Sequence, residues 1–176
     1  MFRLAAESKD DWWEVETLYD LTFAPGREAL SSYRLREGVA PVADLCLTAR
    51  DTYDALAGVI RYWPVVVGQG QHLCLLLGPV AVHPTHQGEG LGAFLMHESL
   101  ALAKDAGWRR VLLVGDAPYY HRFGFEVAPF LDFPKPVNPD RVLSLELVKG
   151  AFDEVLGGVE KAIGAKAACG LVSGCS

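Results

Sequence analysis

The chain has 176 residues, of which 51% are hydrophobic and 22% charged, and its formal net charge is −6. This size and balance fit one globular domain with a substantial core and exclude an intrinsically disordered chain. Basic residues form no run longer than short pairs such as Arg109-Arg110, so no nucleic-acid partner is expected.

The opening "MFRLAAESKDD" lacks a basic start followed by an apolar run, so no signal peptide is expected. No apolar stretch approaches the ~20 residues of a membrane span. A cytoplasmic location without membrane contact follows as the expectation. "FRLAAE" reads as a short strand. "SKDDWWEVETLYDLTF" reads as a helix, opened by a capping box between Ser8 and Asp11, with Trp12, Val15, Leu18 and Tyr19 on one apolar face. "GREALSSYRLREG" is predicted as a second, more polar helix ending near Gly38. Three strands follow, "LCLTAR", "LAGVIRYWPVVV" and "HLCLLLGPVAV". The short turns between them, "DTYDA" and "GQGQ", predict an antiparallel meander.

A glycine-rich loop then runs into a helix that turns Leu91, Phe94, Leu95 and Leu102 toward a core and ends at Gly107. "RRVLLVG" is reached through that helix and is therefore a strand parallel to a neighbour. "APYYHRFGF" is a short helix and turn, and "RVLSLELV" is a last strand. Residues 150–176 have weak periodicity and many small side chains. They are expected to form a weakly helical or flexible tail beyond a domain of residues 1–149. Cys46 and Cys74 lie in apolar runs and read as buried thiols, whereas Cys169 and Cys175 read as free thiols of the tail. No C-x-x-C pair occurs, so no metal site is expected. The fold class is mixed α/β with a central, mostly antiparallel sheet.

The loop carries Gly88, Gly90 and Gly92. A tight turn without a ligand is the simplest reading. A P-loop is excluded, because Ala93 stands where its lysine is needed. Gly88, Gly90 and Ala93 do satisfy G-x-G-x-x-[GA], and Asp116 ends the next strand. Yet "HPTHQ" separates the strand end from Gly88, and the preceding strands form a meander, so a dinucleotide fold does not fit. A third reading uses more of the residues. Gly78-Pro79 interrupts the strand, because proline donates no ladder hydrogen bond, and bends it away from its parallel neighbour. Strands that splay leave free backbone groups, which suit the amides of a pantetheine arm. The N–H groups from Gln87 to Gly92 at a helix N-terminus suit a pyrophosphate, and alternate glycines let it approach.

With these residues in view, "VAVHPTHQGEGLG" resembles motif A of the GNAT family of N-acetyltransferases, [QR]-x-x-G-x-[GA], with Gln87, Gly90 and Gly92 at its fixed positions. "YYHRFGFE" resembles that family's Tyr-x-x-x-Gly-Phe motif through Tyr120, Gly124 and Phe125. The resemblance covers nearly all of the chain except the tail. It implies the GNAT fold: a twisted, mostly antiparallel sheet, splayed at a parallel strand pair and flanked by helices. It also implies acetyl-CoA as co-substrate, attacked directly by a primary amine in a ternary complex. Cofactor binding is implied for Val80, Ala81 and Val82, one of whose N–H groups polarises the thioester carbonyl. It is implied likewise for Gln87, Gly88, Glu89, Gly90, Leu91, Gly92 and Ala93 around the pyrophosphate. Tyr120 is implied as the proton donor to the departing thiolate, and Tyr119, off the motif, as packing.

Two departures from the family stand out. Leu75 to Pro79 carry no carboxylate where many members have a glutamate, so deprotonation falls to a water chain or an already neutral amine. No asparagine follows the second cleft strand, and Asp116 reads as a cap of the short helix. His83 reads as structural. Arg34 and Arg36 either line a site for an acidic acceptor or are solvated helix charges. Of Tyr62 and Trp63, one walls the acceptor pocket and the other is core, because a strand alternates its faces. The acceptor is not specified, and a homodimer is compatible with the sequence. The alternatives are a non-catalytic CoA-binding module and a transferase for another acyl-CoA.

Overall fold

The computed structural model describes residues 1–23, 27 and 30–163. Strand β1 (Arg3–Ala6) pairs antiparallel with β2 (Leu47–Arg50), β2 with β3 (Leu56–Val67), and β3 with β4 (His72–Val82). Helix α3 (Leu91–Asp105) carries the chain to β5 (Arg110–Val114), which lies parallel to β4. Strand β8 (Val142–Glu146) adds antiparallel to β5, and β6 (Glu126–Val127) adds to β8. Helices α1 (Trp12–Thr22), α2 (Ser31–Arg34) and α4 (Ala117–Tyr120) complete the frame. The expected meander, crossover and mixed α/β class are all present. No described helix is long and apolar enough to cross a membrane.

Alternation along β3 sorts the core onto two faces. Ile60 and Tyr62 pack with Leu91, Leu95 and Met96 of α3. Val59 points the other way and meets Val15, Leu18 and Tyr19 of α1. The buried side of α3 follows the i, i+4 row Leu91, Leu95, Ser99 and Ala103. Its small members let the helix lie close to the sheet, and Tyr62 Oη meets Ser99 Oγ at 2.8 Å inside the core. A Cβ on Gly58 would stand 3.0 Å from Leu95 and 3.1 Å from Leu91, so that glycine permits the close approach. Phe94 and Leu102, expected in the core, are 41% and 43% exposed. Counting large apolar side chains misplaced a stripe that small ones define. Trp12 likewise stays 56% exposed, one turn ahead of the buried part of α1.

Two further expectations need correction. The second helix is a single turn among the described residues, Ser31–Arg34, because Ser31 and Ser32 are weak helix formers. The tail does not begin at residue 150. Phe152 and Val155 are buried, and strand β9 (Gly157–Lys161) pairs with β3 from Val65–Lys161 to Val67–Val159. Beyond its last pair with β2, β3 is left with an unpaired edge, and β9 fills it. Strand β9 also pairs parallel with β7 (Leu131–Asp132). The paired glycines of "LGGVEK" hide this strand from pattern reading. Residues 164–176, with Cys169 and Cys175, lie outside the described residues. Cys46 and Cys74 are buried free thiols, as expected.

The two readings of this segment separate experimentally. Val159 is 3% exposed, so Val159→Ala is expected to lower unfolding stability by about 2 kcal/mol in urea titrations. A frayed tail would tolerate the change without measurable loss.

Candidate active site

The pairing of β4 with β5 is confined to Leu75–Val111 and Leu76–Leu112. Just beyond, the register between β3 and β4 slips: Tyr62 faces Leu77, whereas Ile60 faces Val80. Strand β4 therefore holds one extra residue at Gly78-Pro79, the predicted bulge. Gly78 has φ +116°, a conformation side chains rarely adopt, and Pro79 has no N–H to offer β5. The Tyr19 hydroxyl donates to the Pro79 carbonyl at 2.9 Å and fixes the bulge to α1. A cavity of about 160 Å³ opens between the strands, lined by Leu77 to Val80, Leu113, Val114 and Tyr120. Val80 and Val82 are half-buried along the parted strand, while Ala81 turns into the α1 core.

Past the end of β4, Gly88 and Gly90 have φ +85° and +78°, with open space where a Cβ would stand. Gly90 is the N-cap of α3, and the amide of Phe94 closes the first turn on its carbonyl at 3.0 Å. The preceding first-turn amides, Leu91 to Ala93, have no intrahelical acceptor and face the loop. Leu91 buries its side chain in the core and presents only its amide. Gln87 Nε2 folds back toward the Val82 carbonyl at 3.5 Å. Glu89 turns its carboxylate to His86 at 2.9 Å, and the other ring nitrogen of His86 meets Asp51 at 3.3 Å. The Glu89 bond first, with Asp51 adding to it, holds the His86 pKa above its usual value. This chain of groups ties the glycine loop to the turn between β2 and β3.

Tyr120 lines the cleft and packs its ring on Phe125 at 6.1 Å. Burial pushes its phenol up to about 12. The ring passes so close to Gly115 that a Cβ there would stand 2.5 Å from it, so this glycine sets the position of the tyrosine. Tyr119, read as packing, does stack edge-on against Tyr120 at 5.0 Å. Its hydroxyl nevertheless reaches the first turn of α3, 3.3 Å from where a Gly92 Cβ would be. Asp116 occupies the N-cap position of α4, but its side chain makes no capping bond. His83 accepts from the Thr85 amide at 3.2 Å, a structural role, as expected.

A second cavity, about 390 Å³, adjoins the cleft on the α1 face of the sheet. The two share Arg27, Tyr33, Arg36 and Pro79 in their walls. Trp63 lines it, while Tyr62 is core, so alternation divides the pair as predicted. Arg36 lines it too, whereas Arg34 stays exposed and donates to the Lys135 carbonyl at 3.1 Å. Glu16, Arg27 and Arg61 also line this cavity, and the sequence reading did not select them. Arg61 gives Nε and Nη2 to Glu7 at 2.9 and 2.6 Å and Nη1 to Glu16 at 2.8 Å. An arginine inside the apolar run "VIRYWPVVV" was the available signal, because a charge there must be paired.

Residues 12–125 match the model of the acetyltransferase (GNAT) family. The chain belongs to the GNAT acetyltransferase family. The family is one of acetyltransferases. The uncharacterized N-acetyltransferase YhbS of Escherichia coli K12 is 33% identical over 119 residues, covering 67% of this chain and 70% of that protein. The crystal structure of Escherichia coli YhbS in complex with CoA superposes with a TM-score of 0.79 at 29% identity, over 92% of this chain and 89% of that one. A GNAT acetyltransferase of Brucella melitensis in complex with acetyl-CoA gives a TM-score of 0.71 at 27% identity, over 92% and 96%. The splayed β4–β5 pair and the loop before α3 lie within the residues that match the family model.

His86 offers a direct check on the loop. Its folded pKa is raised above 6.5, so the stabilisation from its two carboxylate partners is complete below that value. It fades as pH rises through the folded pKa. In an NMR titration His86 is expected to titrate above 6.5, and Glu89→Gln is expected to move it back down. An unshifted His86 would show that the loop is not tethered in this way.

Proposed function

We propose that this GNAT enzyme transfers the acetyl group of acetyl-CoA to a primary amine by direct attack in a ternary complex. The observation that carries the reading is the parted end of β4, with the glycine loop beyond it and Tyr120 across the gap. In this reading the backbone of Val80, Ala81 and Val82 receives the pantetheine arm and the thioester. One of their free N–H groups stabilises the charge that develops on the carbonyl oxygen. The amides from Gln87 to Ala93 hold the pyrophosphate, aided by the positive end of the α3 dipole.

The amine nitrogen attacks the thioester carbon, the carbon–sulfur bond breaks, and CoA leaves as a thiolate. Tyr120 protonates that sulfur. Burial raises its pKa to about 12, which keeps the phenol protonated near neutrality but makes it a weaker acid. It therefore acts first as a hydrogen-bond donor to the sulfur as charge develops there. Among the described residues no carboxylate lines the cleft, and both oxygens of Glu16 in the adjoining cavity are held by Arg27 and Arg61. The attacking amine therefore arrives neutral or loses its first proton to water, and the N–H proton released as the amide forms also goes to water.

Two variants test the parts separately. Gly90→Val places a β-branched side chain at φ +78° in the open loop and is expected to abolish CoA binding in calorimetric titration. Unchanged affinity would return the loop to a plain turn. Tyr120→Phe keeps the ring packing and is expected to lower kcat by roughly 10²–10⁴ with little change in acetyl-CoA affinity. Tyr119→Phe should be much milder. Steady-state kinetics with a reactive amine measures both, and wild-type turnover by Tyr120→Phe would make solvent the proton source.

A further inference from the structure

The cavity beside the cleft holds one guanidinium without an ion-pair partner among the described residues. Three guanidiniums, Arg27, Arg36 and Arg61, line it. Arg61 is fully used by Glu7 and Glu16. Arg27 gives Nη2 to Glu16 at 2.8 Å and to Asp20, 73% exposed, at 3.1 Å. Its Nε and Nη1 are buried without a partner among the described residues. Arg36 forms no ion pair among the described residues, and its Nε is also buried and unpartnered. The Arg36 guanidinium lies against the rings of Tyr33 at 4.1 Å and Trp63 at 4.8 Å, which fix its plane. The Trp63 ring is itself held by a 3.1 Å bond from its Nε1 to the Val39 carbonyl.

A buried guanidinium left without an anion is costly, because burial removes its water and nothing returns the charge interaction. Here the cost falls on Arg36, which shares the cavity with Arg27, and that cavity opens onto the bulge of β4. Arg27 and Arg61 have carboxylate partners in Glu7, Glu16 and Asp20, and Arg36 has none among the described residues. Glu37, also in the cavity wall, is turned to Lys161 at 3.8 Å. The partner that Arg36 lacks is an anion with planar acceptor geometry, which is the chemistry of a carboxylate.

We infer that the acceptor carries a carboxylate, seated between Arg36 and Arg27, which holds its amine toward the gap at Gly78-Pro79. This inference rests on the acetyl-transfer reading above and names the substrate class. The apolar walls supplied by Tyr19, Tyr33 and Trp63 suit the carbon skeleton between the two groups. Arg36 acts as a specificity residue: it binds the end of the acceptor remote from the reaction.

The test is titration calorimetry on the protein saturated with CoA, using amino carboxylates and their carboxamides as matched pairs. β-Alanine is set against β-alaninamide, and phenylalanine against phenylalaninamide. Within at least one pair the carboxylate is expected to bind about tenfold more tightly or better. Arg36→Gln should bring that ratio to about one, and Arg36→Lys should keep part of it. In kinetics the loss should fall on the KM for the carboxylate acceptor and leave the KM for acetyl-CoA in place. If CoA binds but no carboxylate binds better than its carboxamide, including the case in which neither binds, the inference is overturned and acetyl transfer stands. If CoA itself does not bind, the acetyl-transfer reading fails and takes the inference with it. The wild-type ratio needs no variant, so a misfolded Arg36→Gln cannot decide the matter.

Discussion

Strand β4 can serve two neighbours only as far as Leu76, and the rest of the molecule is arranged around that limit. Up to this residue it bonds β3 on one side and β5 on the other. Beyond it, Gly78 and Pro79 break the register, and β4 keeps β3 alone. A strand with one bare edge inside a sheet is ordinarily a liability, since its amides and carbonyls must find partners. Here the bare edge is internal and flanked by Tyr120. The Tyr19 bond to Pro79 holds this arrangement from behind.

The two faces of the sheet divide the remaining work. The α3 face is a dry core in which Tyr62 and Ser99 satisfy each other. The α1 face begins as core, with Val15, Leu18 and Val59, and turns into a charged cavity where Arg61 and Trp63 replace aliphatic residues on the same side of β3. Buried ion pairs seldom add net stability over apolar packing. Keeping Arg61 locked to Glu7 and Glu16 therefore points to shape and charge placement at the cavity wall. Arg36 has no such lock among the described residues, and burial pushes its pKa down.

Much of this was legible in the sequence, for identifiable reasons. The meander, the α3 crossover and the bulge were readable because Gly, Pro and alternation are local signals with fixed geometric meaning. The loop from Gln87 to Gly92 was readable because only glycine fits φ near +80° twice in three residues. Strand β9 was not readable, because its pairing is dictated by an edge that β3 leaves free some ninety residues earlier in the chain. The buried stripe of α3 was misplaced at Phe94 and Leu102, since Ser99 and Ala103 carry little hydrophobic weight in a sequence pattern. Arg27 and Glu16 escaped notice because their meaning is relational: each is an ordinary charged residue until α1, β3 and the segment after α1 are brought together.

The position of the two internal cysteines has a chemical consequence for an enzyme of this kind. A thioester exchanges its acyl group with any thiolate it meets, and free CoA attacks accessible disulfides in the same way. Cys46 and Cys74 sit at 3% and 0% exposure, with burial raising their pKa values to about 11 and about 12. At neutral pH a thiol of pKa 11 is ionised in only about one molecule in ten thousand. Both sulfurs are thus shielded twice, by packing and by protonation, from the reactive substrate the protein handles. The sheet that parts at Gly78-Pro79 keeps its own thiols out of such an exchange.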